Sequence, residues 1–142
     1  MAYFDWFMAH NRKHQDIVKK LIAQGYSKEM IIDYFVFENM LAKEPLFCPL
    51  YARKEKCHQL SYLNCYFCAC PYFRFNDLGL RKEGDILVKS ACAIPSKKSA
   101  YYVHNAISHL DCSACSVPHT RAFIRKHFHL EWKEVMKKCL PS

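Results

Sequence analysis

Eight cysteines fall between positions 48 and 115: Cys48, Cys57, Cys65, Cys68, Cys70, Cys92, Cys112 and Cys115. Two of the spacings are C-x-x-C, in Cys65-Tyr66-Phe67-Cys68 and Cys112-Ser113-Ala114-Cys115. Two intervening residues let a tight turn aim both sulfurs at one metal ion, and two such turns complete a tetrahedron at about 2.3 Å per Zn–S bond. Eight thiolates satisfy two four-coordinate sites with nothing left over. Cys70 follows Cys68 too closely for both to join Cys65 on one ion without strain. The expected partition is therefore Cys65/Cys68/Cys112/Cys115 and Cys48/Cys57/Cys70/Cys92. His58, beside Cys57, and His119, four after Cys115, can each substitute for a sulfur. The ninth cysteine, Cys139, lies apart and reads as a core residue.

Metal ligation is favoured over disulfides by the start of the chain. Asp5, His10 and Asn11 interrupt the place where a secretory signal needs an apolar core. A chain without such a signal is expected in the reducing cytoplasm, where thiols stay free. No membrane span is expected, since apolar runs such as Tyr34–Phe37 are far shorter than the ~20 residues a bilayer requires. With only three glycines, the chain has no phosphate-binding loop, dinucleotide fingerprint or G-x-S-x-G elbow.

At 142 residues the chain is read as one compact domain in three parts. Residues 1–45 form a helical hairpin. Its first helix runs from an Asp5 cap to Gln24 and stops at Gly25; the second starts at a Ser27 cap and ends at Pro45. Residues 46–119 are the cysteine-rich core, a loop-rich stretch with one small hairpin and a short helix over Ala100–His109. Residues 120–142 are a basic amphipathic helix capped by Thr120, with Ile124, Phe128, Trp132, Val135, Met136 and Cys139 on its apolar stripe. The fold class that follows is mainly α around a metal-stapled cysteine core, with a small α+β arrangement as its variant.

Two runs carry a family resemblance. They are Leu63-Asn64-Cys65-Tyr66-Phe67-Cys68-Ala69-Cys70-Pro71-Tyr72 and Leu110-Asp111-Cys112-Ser113-Ala114-Cys115-Ser116-Val117-Pro118-His119. They closely resemble the prokaryotic cysteine-rich small domain, whose pattern is N-C-x-x-C-x-C-P, a later lone cysteine, then D-C-S-x-C-x-x-P-H. Cys57-His58 looks like that family's C-H element. The likeness spans about residues 47–128 and implies a probable metal-binding, zinc-finger-like protein; some members are fused to proteins of cobalamin metabolism. The separation of Cys48 from Cys57 is wider than the family's usual spacing, and the N-terminal hairpin lies outside the family core.

Zinc and iron–sulfur clusters both accept four thiolates. The paired knuckles favour zinc, while Cys70-Pro71 and the surrounding aromatics Tyr66, Phe67, Tyr72, Phe73 and Phe75 keep a cluster open. A closed four-thiolate site leaves no position for substrate, so a non-enzymatic accessory or regulatory role is expected, acting with a protein partner. The His10/His14 pair reads as a polar helix face, and Cys112/Cys115 lacks the βαβ setting of a thioredoxin-like site. The formal charge of +8 opens a nucleic-acid alternative. Residues 117–142 carry six basic side chains against two acidic ones, opposite the apolar stripe.

Overall fold

The computed structural model describes residues 3–94 and 96–140. Helix α1 (Tyr3–Ala23) buries Phe7, His10, Asn11, His14, Ile17, Val18 and Leu21, a single face at three-and-four spacing. It ends at Gly25, whose φ of 83° suits a residue without Cβ. There the Tyr26 amide donates to the Leu21 carbonyl at 3.0 Å. Ser27 caps α2 (Lys28–Tyr34) by accepting from the Met30 amide. The second helix of the hairpin does not continue to Pro45. Val36 pairs with Asn64 in an antiparallel bridge, and the Phe37 amide donates to Leu63 O at 2.8 Å. The interruption separates α2 from α3 (Phe37–Lys43).

The middle of the chain corrects the mainly α expectation. The structure is 39% helix and 18% strand, an α+β fold with two sheets in place of a loop region held by metal. Strands β1 (Phe73–Phe75) and β4 (Ser90–Cys92) form one antiparallel pair, with Phe73 opposite Cys92. The second sheet has four strands in the order β2-β3-β6-β5: β2 (Arg81–Glu83), β3 (Ile86–Val88), β6 (Ile107–Asp111) and β5 (Ala100–His104). β3 and β6 run parallel; the other neighbours are antiparallel. The helix expected over Ala100–His109 is instead the hairpin β5–β6. Tyr101-Tyr102-Val103 prefers a pleated surface, and Asn105 and Ala106 both take positive φ, 52° and 60°, as a tight two-residue turn requires.

The C-terminal periodicity is divided between two short helices, α4 (Arg121–His127) and α5 (Trp132–Val135). Thr120 caps α4, as its sequence position implies. Phe128 is extended, and the Tyr66 hydroxyl donates to the His129 carbonyl at 2.5 Å, anchoring the chain between the helices. The apolar stripe still faces inward: Ile124, Trp132, Met136 and Cys139 are all buried.

Those side chains meet α1 in an aromatic core that also takes in two histidines. His14 lies with its ring centre 4.4 Å from Tyr66 and 5.0 Å from Phe35, and His10 stacks on Trp6 at 4.9 Å. The pair read as a polar helix face is thus interior. Burial holds the His10 ring down to about 4 and the His14 ring down to about 3, against 6.5 when free.

Two consequences are measurable. Below pH 6.5 the unfolded chain takes up protons on these rings that the folded chain refuses. Stability is therefore intact above pH 6.5 and falls as the pH drops toward 4, by about 1.4 kcal/mol per pH unit for each ring. In urea unfolding at pH 6 and pH 5, His14→Leu should lose one ring's share of that slope. Separately, Ala106 sits where a Cβ costs about 1 kcal/mol. Ala106→Gly should raise the melting temperature by about 2–4 °C in a thermal scan.

Candidate metal centre

The site is assembled around Asn64, the residue before the first cysteine knuckle. Asn64 is fully buried, and its side-chain amide donates to the Ile32 carbonyl at 2.8 Å. Its side-chain oxygen accepts from the Tyr66 amide at 2.9 Å, which bends the chain into the turn Cys65–Cys68. Inside that turn the Cys68 thiol donates to the Cys65 carbonyl at 3.3 Å. The Asn64 backbone meanwhile pairs with His119, donating to the His119 carbonyl at 3.1 Å. Its own carbonyl accepts from His119 Nδ1 at 3.0 Å.

That last bond fixes a tautomer. A carbonyl can only accept, so Nδ1 carries the proton and Nε2 of His119 is left as a lone pair. His119 is 4% exposed, and burial holds its ring down to about 4, so it is neutral at pH 7. His58 is set the opposite way round. Its Nε2 donates to the Cys112 carbonyl at 3.1 Å, leaving Nδ1 as the lone pair, 3.1 Å from the Cys57 sulfur. The two rings lie 4.5 Å apart, centre to centre. Cys57, His58 and His119 offer ligand atoms that all lie within 4.8 Å of one another, the only such group of three among the described residues. Each imidazole is held by a backbone carbonyl on its far nitrogen, the arrangement metal-bound histidines use to fix ring orientation.

The other predicted ligands surround this group in two cavities. One, of about 340 Å³, is lined by Cys48, Cys57, Cys65 and Cys68 together with His58 and His119. The other, of about 410 Å³, is lined by Cys68, Cys70, Cys92, Cys112, Cys115 and Cys139, again with His58 and His119. Trp6, His58, Cys68 and His119 line both and form the wall between them. Of the first knuckle, Cys65 lines only the smaller cavity and Cys68 lines both, while Cys112 and Cys115 of the second line only the larger. Cys70 sides with Cys92 because β1 and β4 pair Phe73 with Cys92 and the Phe73 amide donates to the Cys70 carbonyl at 2.9 Å. The partition expected from the sequence also places Cys70 with Cys92; the sheet contact supplies the physical reason.

Cys139 is 1% exposed, with its thiol directed at the Cys70 carbonyl at 3.6 Å. Burial pushes it up to about 12, consistent with an inert core thiol. In sequence the histidines stand as substitutes for sulfur, whereas here they are part of the converging group, and Asn64 has a structural role that residue type alone does not signal. The signals for both lay in the runs Asn64-Cys65 and Pro118-His119. Searched against family models, curated proteins and solved structures, the chain finds no match.

Asn64→Ala leaves the Ile32 carbonyl and the Tyr66 amide buried without partners. It should cost about 3 kcal/mol in chemical denaturation, whereas Asn39→Ala, at an exposed position, should change stability by less than about 0.5 kcal/mol.

Proposed function

We propose that the protein is a non-enzymatic metal-binding protein that holds zinc through Cys57 Sγ, His58 Nδ1 and His119 Nε2. The observation that carries this reading is the convergence of one ligand atom from each of the three residues, with both imidazoles held by backbone carbonyls that leave these nitrogens free. A mixed sulfur and imidazole set suits zinc, which is borderline-soft and tolerates either donor. His119, neutral at pH 7, gives up no proton to bind, whereas a thiol ligand such as Cys57 must ionise. Partial burial raises that thiol first, and the neighbouring Cys48 thiol raises it further. Cys48 lines the same cavity without joining the group of three, and closing the tetrahedron requires it to swing in and ionise as well. A closed site of this kind serves structure or regulation rather than Lewis-acid catalysis. The reading accords with the metal-binding role implied by the resemblance to the cysteine-rich small domain, whose C-H and P-H elements supply Cys57, His58 and His119.

A nucleic-acid role draws less support. Much of the charge counted on the C-terminal segment is already paired. Arg121 bonds Glu29 at 2.8 Å and Asp33 at 2.5 Å, Arg125 bonds Glu29 at 2.8 Å, and Lys137 bonds Glu134 at 3.1 Å. No helix among the described residues is long and apolar enough to cross a membrane.

The test is zinc content by elemental analysis after anaerobic purification, with a competing chelator to rank affinity. Wild-type protein should carry zinc, and Cys57→Ser and His119→Ala should each weaken its retention at least tenfold. Conversely, Cys139→Ser should keep it. Retention by both ligand variants at wild-type affinity would remove this assignment.

A further inference from the structure

We propose that the larger cavity is a second and chemically different centre, in which Cys70, Cys92, Cys112 and Cys115 hold an iron–sulfur cluster. The proposal adds a site to the zinc reading but does not depend on it, because none of these four thiols belongs to the Cys57/His58/His119 group.

Three independent elements bring the four cysteines to one chamber. The pairing of β1 with β4 places Cys92 opposite Phe73, and a turn sets Cys70 just before that strand. The second knuckle supplies the other two, its turn closed by the Cys115 amide donating to the Cys112 carbonyl at 2.9 Å. All four residues line the same space of about 410 Å³, and all are at least half-buried.

Spacing and lining then decide the kind of cofactor. Zn–S bonds of about 2.3 Å put the sulfurs of a tetrahedral zinc site about 3.8 Å apart. Among the described residues, no three of these four thiols lie within 4.8 Å of one another. The quartet is thus too open for a single ion yet encloses a common space. That matches a polynuclear core, whose thiolates are held apart by the iron and sulfide between them. The wall is also wrong for a hard cation. Its lining includes no Asp, Glu, Lys or Arg and is dominated by Tyr3, Phe7, Phe73, Phe75 and Leu110. Hard divalent ions require oxygen ligands, whereas iron–sulfur clusters sit in apolar surroundings on thiolates.

The experiment is anaerobic reconstitution of the full chain with ferric iron, a thiol reductant and sulfide, followed by desalting. Iron, acid-labile sulfide and zinc are then measured on the same sample, with the visible spectrum. Wild-type protein should turn brown and retain iron and sulfide in equal amounts, at about two or four of each per chain. Cys92→Ser and Cys112→Ser should lose at least nine-tenths of that iron, and Cys57→Ser should keep it while losing zinc. Far-ultraviolet circular dichroism on each variant separates loss of ligand from loss of fold. A colourless wild-type protein without sulfide overturns the proposal whatever the variants do, and so does a folded Cys92→Ser/Cys112→Ser double variant that keeps its iron. Either result leaves the zinc assignment standing; zinc absent from a brown protein sinks that assignment and leaves this one.

Discussion

Much of this structure depends on the hydrogen bonds of one buried amide. Asn64 joins three parts of the chain that are distant in sequence. Its side chain is tied to Ile32 in the helical hairpin and to Tyr66 in the first knuckle, and its backbone is tied to His119 after the second knuckle. Buried polar groups cost free energy unless satisfied, so each of these bonds also excludes alternatives. The knuckle cannot unwind without stranding the Tyr66 amide. His119 cannot rotate without breaking the bond that sets its tautomer. The split between α2 and α3 has the same origin, since Val36 leaves helical geometry to pair with Asn64.

The parts of the fold legible in the sequence are those specified locally. Ser27, Thr120 and Gly25 act where their chemistry places them, because caps and left-handed stops depend on neighbouring residues alone. The apolar stripe from Ile124 to Cys139 also points inward, though on two helices rather than one. What the sequence did not disclose is non-local. The strands near Tyr101 and Ile107 are short and interrupted by Ser108 and His109, so their period of two is masked. They are fixed by partners rather than by their own pattern. His10 and His14 looked polar by residue type, but their ring faces pack like aromatics once neutral.

The cysteines show the same divide. Spacing shows which cysteines can turn toward a common point, but not which turns share one. Cys68 and Cys70 both line the cavity of the second knuckle, and the pairing of β1 with β4 sets Cys70 close to Cys92 there. Cys57 and His58 were legible as adjacent donors. His119 was legible as a donor too, but not as their companion, since its place beside them is set by its bond to Asn64.

His58 is where the two cavities touch. One ring nitrogen faces the Cys57 sulfur while the other donates to the Cys112 carbonyl, so a single planar ring is shared by both donor sets. An imidazole has no torsional freedom between its two nitrogens. Any movement of Nδ1 therefore carries Nε2 with it and strains its bond to the Cys112 carbonyl. Hydrogen bonds near thiolate ligands tune a metal's affinity and potential, and under the two proposals this bond would join one centre to the other. Coupling through it is reciprocal by thermodynamic necessity: whatever occupancy of one cavity does to the other's affinity, the second does equally to the first.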